Sequence, residues 1–100
     1  MAEYRIIVLS NPVAGCEDEF NDWYAKVHLP DVCAVPGVVG ARRFRSLDND
    51  EWRYVAVYRL DCDDPRAVLG EILARWKTER MPGSDAFDES RLIMTLVEPL

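Results

Sequence analysis

The sequence predicts an α+β domain of the ferredoxin-like type, with the element order β-α-β-β-α-β and a four-stranded antiparallel sheet. Four runs rich in β-branched and aromatic residues are bounded by turn residues, and two segments carry apolar residues at helical spacing. One hundred residues are enough for one domain with a modest core and too few for two. We therefore expect residues 1–100 to form a single domain in which two helices cover one face of the sheet.

The first half of the chain predicts one strand and one helix. The run Tyr4–Ser10 is rich in β-branched residues and ends at the turn dipeptide Asn11-Pro12, so it predicts the first strand. Three acids beginning at Glu17 are typical of the first turn of a helix, where the helix dipole favours negative charge. We expect this helix to break near Leu29, because a following proline disfavours helical geometry, and a short turn to occupy Pro30–Ala34.

The second half of the chain predicts a hairpin, a helix and a last strand. The runs Val38–Arg45 and Trp52–Leu60 read as two strands joined by a polar loop. Asp64 and Pro65 suit the N-cap and first position of a second helix, which should end at about residue 78. The final apolar run, Arg91–Glu98, predicts the fourth strand.

Both faces of the predicted sheet are apolar. In the third strand Tyr54, Ala56 and Tyr58 fall on one face, whereas Val55 and Val57 fall on the other. Two helices can cover only one face, so the second face requires another partner. The sequence therefore predicts a homodimer that forms through the sheet faces.

Composition excludes several classes of partner. The net charge of −6 at pH 7 repels nucleic acids and anionic membrane surfaces, so neither is an expected partner. No apolar run approaches the roughly 20 residues of a membrane span, and the N-terminus lacks a signal-peptide pattern, which predicts a cytoplasmic protein. Three cysteines without CxxC spacing, Cys16, Cys33 and Cys62, indicate reduced thiols rather than disulfides or a zinc site.

The segment Glu17–Gly37 carries the main functional signal. Its apolar residues have the i, i+3, i+4, i+7 spacing of one helical face, and His28, the only histidine of the chain, continues that face. The face consists of Phe20, Trp23, Tyr24 and Val27. We therefore expect a titratable imidazole to lie among buried aromatic rings.

The first 45 residues contain a set of residues that points to a known family. The set consists of Asn11-Pro12, Gly15, Glu17, Glu19-Phe20, Trp23-Tyr24, His28, Pro30, Pro36-Gly37 and Arg43-Phe44. With these residues the chain resembles the EthD-like branch of the dimeric α+β-barrel superfamily. The resemblance implies a dimeric α+β barrel with a ligand pocket in each subunit, between the sheet and its helices. Proteins of this kind include cofactor-free decarboxylases, cyclases and isomerases, the related quinol monooxygenases, and members without established activity, so the resemblance implies one of these functions.

Three residues are candidate catalytic groups. His28 is the first, because an imidazole titrates near neutrality as general acid–base catalysis requires; a hydrogen-bonded core histidine is the alternative. Tyr24 lies one helical turn earlier and could orient a substrate oxygen, although such a tyrosine is often a core residue. Asp31 could hold the imidazole through its second nitrogen, or simply cap the turn after Pro30.

Four further residues are candidate substrate contacts. Asn21 shares a helical side with Tyr24 and could add an amide contact, or be solvated. Tyr54 and Tyr58 would line an aromatic pocket or fill the dimer core, depending on which face they occupy. Phe87 lies in the predicted loop 81–88 and could close the pocket mouth.

These residues predict a cofactor-independent enzyme acting on a small apolar substrate of aromatic or polyketide type. The reaction would be a proton transfer such as decarboxylation, cyclisation or isomerisation. No cofactor and no metal are expected, because the chain has one histidine and no nucleotide-binding motif; haem ligation is a minor alternative. The alternative functions are a non-catalytic dimeric metabolite-binding or accessory protein and a quinol monooxygenase.

Overall fold

The computed structural model describes residues 3–100 and contains four strands and two helical regions. In chain order the elements are β1 (Glu3–Pro12), α1 (Glu17–Trp23), a π-helical turn (Tyr24–His28), α2 (Leu29–Cys33), β2 (Val38–Arg45), β3 (Tyr54–Asp61), α3 (Pro65–Arg75) and β4 (Phe87–Val97). The segments α1, π-helical turn and α2 follow one another without a break, and we call them together the first helix. No helix within the described residues is long and apolar enough to cross a membrane.

The sheet has the strand order β2-β3-β1-β4, and every neighbouring pair is antiparallel. This order and the two helical layers confirm the predicted α+β, ferredoxin-like fold. The last strand is longer than predicted, since it starts at Phe87 instead of Arg91 and pairs there with Pro12. Phe87 is therefore a strand residue and not part of a mobile loop, which corrects its predicted position as a loop lid.

The first helix continues through the predicted break at Leu29. The backbone N–H of Leu29 donates to the carbonyl of Tyr24, five residues back, which is the bond of a π-helical turn. Pro30 consequently stands in the first turn of α2, where a residue without an N–H donor is tolerated. The predicted turn at Pro30–Ala34 is therefore wrong, because the wider π turn accommodates the proline within the helix.

One face of the sheet packs against the helices and forms the core. In β1 and β3 the residues on this inner face are almost fully buried, among them Ile6, Val8 and Tyr58. Phe20 of the first helix is fully buried against them, at 0% exposure. Tyr54 also lies on the inner face, at 4% exposure, so both candidate tyrosines of β3 face the helices and not the outer side of the sheet.

The outer face of the sheet is apolar and is not covered by any described element. Its central side chains are half-buried, while those towards the edges are exposed, with Phe44 at 46% and Ile93 at 43%. The apolar residues of this outer face are Ile7, Leu9, Phe44, Val55, Val57, Ile93 and Val97. The prediction that both faces are apolar is confirmed, and residues 3–100 provide no partner for the outer face.

The second helical region and the loops agree with the predicted pattern in most details. Asp64 accepts a hydrogen bond from the backbone N–H of Ala67 at 3.2 Å, as an N-cap residue does. The helix ends at Arg75, somewhat before the predicted residue 78, and Lys77 follows with a positive φ of 63°. β3 begins at Tyr54 instead of Trp52.

Candidate functional site

A cavity of about 130 Å³ lies between the inner face of the sheet and both helical regions. Its wall is mostly aliphatic and aromatic. The residues around it are Ile6, Val8, Tyr24, His28, Val32, Tyr58, Leu69, Ile72, Leu73, Trp76, Met81, Phe87, Glu89, Leu92 and Met94. Four of the predicted site residues, His28, Tyr24, Tyr58 and Phe87, therefore meet at one cavity.

The imidazole of His28 is enclosed by three aromatic rings. It stacks on Trp23, with ring centroids 4.8 Å apart and an interplanar angle of 20°. Tyr24 and Trp76 contact it edge to face, at centroid distances of 4.9 and 5.3 Å. Trp23 and His28 are five residues apart, and the π turn between them brings residues at this spacing to the same side of the helix.

His28 is a neutral imidazole with an unused hydrogen-bonding atom. Its Nδ1 is buried and has no hydrogen-bond partner among residues 3–100. Burial, and to a smaller extent the positive charge of Arg43, lower the pKa of His28 from 6.5 to about 4. The side chain is therefore uncharged at pH 7, and the unpaired nitrogen carries a cost of about 1–3 kcal/mol that a ligand could recover.

Tyr24 and Tyr58 form a hydroxyl pair at the cavity wall. The hydroxyl of Tyr58 donates to that of Tyr24 at 3.3 Å, and the Ser10 side chain is a further hydrogen-bonding neighbour of Tyr24. Burial raises the pKa of both tyrosines, so both remain protonated at neutral pH. Because Tyr24 accepts a hydrogen bond from Tyr58, its own proton is free to be donated to a ligand oxygen.

Two of the predicted substrate contacts belong to a separate hydrogen-bonded chain. Arg43 donates to the Oδ1 of Asn21 at 2.8 Å, and the Nδ2 of Asn21 donates to the Tyr54 hydroxyl at 3.1 Å. The Tyr54 hydroxyl in turn donates to Glu17, which also pairs with Arg53. We call these residues the Asn21 network. Asn21 and Tyr54 are not part of the cavity wall, but Arg43, which donates to Asn21, lies over the ring of the wall residue Tyr24.

The cavity mouth carries one acidic group that is already paired. Glu89 accepts a hydrogen bond from the indole N–H of Trp76 at 3.2 Å and forms an ion pair with Lys77 at 2.5 Å. Leu73 and Leu92 beside it are exposed at 53% and 39%. Phe87 is half-buried and stacks on Trp23 at 5.9 Å, so it forms a fixed part of the wall.

Asp31 does not hold the imidazole as the sequence suggested. It is half-buried on α2, outside the cavity wall, while the Nδ1 of His28 has no hydrogen-bond partner in the described part of the chain. The alternative role as a cap for a turn after Pro30 also fails, since the helix continues through this position. The predicted orientation of His28 by Asp31 is therefore absent from the structure.

Two contributors to the site were not singled out from the sequence. Trp76, at the C-terminal end of α3, forms one wall around His28. Arg43 was named with Phe44 only among the residues that carry the family resemblance, without a role in the site. In the structure it lies under the first helix with its guanidinium over the ring of Tyr24, 4.3 Å from the centroid.

The residues present do not form a metal site within the described part of the chain. No group of three or more His, Cys, Asp or Glu side chains is arranged to hold a metal ion there. The three cysteines are unpaired thiols. The cavity is slightly smaller than the roughly 150 Å³ cavity that binds one benzene molecule, and it is too small for a porphyrin.

Comparison with solved structures supports the predicted resemblance at the level of the fold. The chain is similar to an ethyl tert-butyl ether D (EthD) family protein from Bacillus halodurans, with a TM-score of 0.66 and 17% identity over 98% of this chain and 99% of that one. It is also similar to the protein PA3566 from Pseudomonas aeruginosa, with a TM-score of 0.69 and 13% identity over 100% and 96% of the two chains. No protein-family model and no curated protein sequence matches the chain.

Proposed function

We propose that the protein is a cofactor-independent enzyme that moves a proton on a small, neutral, ring-sized substrate. The observation that carries this proposal is the unpaired imidazole of His28 in an apolar cavity beside the Tyr24 hydroxyl. A buried polar group without a partner is costly, and a catalytic or ligand-binding role is one explanation for such a group. The reaction class is enolisation, isomerisation or cyclisation.

The dimensions of the cavity support a substrate of one ring. A volume of about 130 Å³ suits a single six-membered ring, and the mouth at Leu73 and Leu92 leaves room for a substituent. The wall of aromatic and aliphatic groups favours an apolar ring. A polycyclic substrate of polyketide type would extend out of the cavity into solvent.

The charges around the cavity support a neutral substrate. Among residues 3–100 the one ionisable carboxyl at the wall is Glu89, which Lys77 already pairs, and no lysine or arginine of these residues forms part of the wall. A carboxylate would therefore enter without a counter-ion, at a large desolvation cost. Among the reaction types suggested by the sequence, this arrangement supports isomerisation and cyclisation over decarboxylation.

The proposed roles follow from the protonation states. Tyr24 donates its proton in a hydrogen bond to the carbonyl oxygen, while the neutral imidazole of His28 accepts the proton from the adjacent carbon. The C–H electron pair becomes the double bond of an enolate, and the proton returns to carbon from the imidazolium. Because burial and the charge of Arg43 lower the pKa of His28 to about 4, the imidazolium is acidic enough to return the proton to carbon.

The test uses cyclohexanone, a neutral ketone of one ring, in deuterated water at pD 7.5. We expect the wild-type protein to accelerate exchange of the α-hydrogens, as followed by NMR, and the His28→Ala variant to lose about 10²–10⁴ of this acceleration. Asp31→Ala is the matched control, since Asp31 lies outside the cavity wall, and should retain the wild-type rate. An unchanged rate in His28→Ala would contradict the proposal.

A non-catalytic binding protein is the second candidate, and the low pKa of His28 favours it. An imidazole with a pKa of about 4 is a weak base, yet it remains a good hydrogen-bond acceptor for a phenol. The two candidates separate in one pair of measurements. Phenol binding by calorimetry without any ketone exchange would establish binding alone, whereas exchange that depends on His28 would establish catalysis.

We further propose that two copies associate through the outer face of the sheet, as the uncovered apolar side chains suggest. A two-fold axis would bring the same patch of each copy together, which makes a flat apolar face self-complementary. We expect Phe44→Asp to convert a dimer into a monomer in sedimentation velocity at micromolar concentration. Leu47→Asp, at a loop residue with 98% exposure outside this face, should leave the dimer intact. A monomeric wild-type protein would contradict this assignment.

The cytoplasmic location of the protein stays a prediction.

A further inference from the structure

Arg43 places a positive charge beside the cavity without forming part of its wall. Its guanidinium carbon lies 4.3 Å from the centroid of the Tyr24 ring, 5.2 Å from that of Tyr54 and 5.4 Å from that of Phe20. Tyr24 in turn contacts the imidazole of His28 at 4.9 Å. One aromatic ring therefore separates a permanent cation from the candidate proton acceptor.

The charge of Arg43 is not neutralised by a carboxylate. Among residues 3–100 its hydrogen-bonded partner is the neutral amide of Asn21, and the ion pairs of this region do not include it. Glu17, which ends the Asn21 network, pairs with the exposed Arg53 instead. Arg43 is half-buried, so solvent screens its field less than that of an exposed arginine.

The amide of Asn21 fixes the position of this cation. Its Oδ1 accepts from Arg43 and its Nδ2 donates to Tyr54, so both ends of the amide are used. The Tyr54 hydroxyl is held by Glu17 at the start of the first helix. The guanidinium is thereby held over Tyr24 by neutral donors and acceptors that orient it and leave its charge in place.

We propose that Arg43 is a positioning residue of the cavity, which holds Tyr24 as hydrogen-bond donor and supplies a positive field that favours negative charge developing on a bound oxygen. This inference rests on the proposed function and deepens it. A ketone becoming an enolate, or a phenol sharing its proton, gains negative charge next to Tyr24. The substrate class is thus neutral carbonyl or phenolic compounds that become anionic during the reaction.

The same field acts on His28, which makes the proposal measurable without a substrate. The charged and titratable groups around the two residues are Tyr24, Tyr54, Tyr58, Arg45 and, at the cavity mouth, Glu89 with Lys77. Since His28 is the only histidine, its imidazole signals in an NMR titration are assigned without ambiguity. Burial dominates its low pKa and the Arg43 charge adds to it, so removing the charge should recover part of the shift.

The experiment compares the pKa of His28 in four variants with its value in the wild-type protein. We expect Arg43→Gln to raise it by roughly one pKa unit, still below 6.5, and Arg43→Lys to leave it near the wild-type value. Arg45→Gln is the matched control, because Arg45 lies two residues along the same strand face but is exposed, and should cause no shift. Asn21→Asp adds a carboxylate against Arg43 with little change of shape and should raise the pKa as Arg43→Gln does.

An unchanged pKa of His28 in both Arg43→Gln and Asn21→Asp would overturn the inference, and Asn21→Asp keeps the test decisive if Arg43→Gln does not fold. A pKa that rises equally in Arg43→Lys would also overturn it, because the effect would then be one of packing and not of charge. The two proposals fail separately. If the protein catalyses ketone exchange but the pKa of His28 does not change in the variants, the proposed function is supported and the role of Arg43 is not. If the pKa changes but no exchange occurs, only the electrostatic role of Arg43 is supported.

Discussion

The polar side chains in the two halves of the first helix differ in whether their hydrogen bonds are satisfied. In the N-terminal half, Asn21 has both ends of its amide hydrogen-bonded, and the network continues to Tyr54 and Glu17. In the C-terminal half, His28 has a buried nitrogen without any partner in the described residues. Phe20 contacts both Tyr54 of the network and Tyr24 beside His28, so the two halves meet at one aromatic cluster.

This contrast distinguishes the residues that stabilise the fold from those that form the candidate site. A satisfied network contributes to the stability of the fold and fixes the orientation of its members. An unpaired buried nitrogen lowers stability, and our proposal is that a ligand supplies the missing hydrogen bond of His28. The π turn falls at the boundary between the halves, and such turns are frequent at functional sites.

The largest expected effect is a pH dependence of stability that arises in the C-terminal half. The pKa of His28 is about 4 in the folded state and about 6.5 when unfolded, so the unfolded state binds the proton first as the pH falls. Stability is therefore lost between about pH 6.5 and pH 4, by roughly 3 kcal/mol for a shift of this size. Urea unfolding at a series of pH values measures this loss.

His28→Leu is the control for this pH dependence. Glu17, whose pKa is lowered first by the Tyr54 hydrogen bond, loses its own stabilising contribution as the pH falls and does so in both proteins. The difference between wild type and His28→Leu isolates the histidine. Parallel stability curves for the two proteins would show that His28 is not desolvated in the folded state.

The next effect concerns the N-terminal half. Replacing Asn21 by Leu leaves the half-buried guanidinium of Arg43 and the Tyr54 hydroxyl without their amide partner, which should cost about 2 kcal/mol of unfolding free energy. Asp22→Ala removes only an exposed ion pair with Lys26 and should cost less than about 0.5 kcal/mol. Equal costs for the two variants would remove the distinction between a supporting network and ordinary surface contacts.

The smallest effect has the opposite sign and returns to the C-terminal half. At pH 7.5 His28→Leu removes an unsatisfied buried nitrogen and fills its place with an apolar group, so the protein should gain about 1 kcal/mol in stability. The gain should be accompanied by loss of phenol binding. A destabilised His28→Leu variant would instead identify His28 as a core residue that contributes to packing.

The fold was predictable because most elements follow simple periodicity. The alternation in β3 and the acids near Glu17 are typical of their elements, and the Asp64 N-cap is observed as expected. The helix through Pro30 was not predictable, since proline rules favour a break and nothing in the local sequence signals a π turn. The contact between Trp23 and His28 depends on that turn.

The role of Arg43 could not be read from alternation in β2. The register of β2 shifts between Val38 and Gly40, where a bulge adds a residue and reverses the alternation that follows. Counting from the buried Val38 without the bulge would place Phe44 inward and Arg43 outward. The structure has the reverse, with Phe44 exposed on the outer face and Arg43 under the first helix.

The state of the His28 imidazole with and without a ring-sized ligand is the most direct measure of the central claim. Nitrogen-15 NMR at pH 7.5 on the wild-type protein, before and after addition of phenol, reports both the protonation state and the hydrogen bonds of this single histidine. We expect a neutral imidazole whose nitrogen shifts change on saturation with phenol, with no such change for benzoate. A protonated imidazole, or shifts that phenol leaves unaltered, would contradict the assignment of His28 as the unpaired group that a ligand completes.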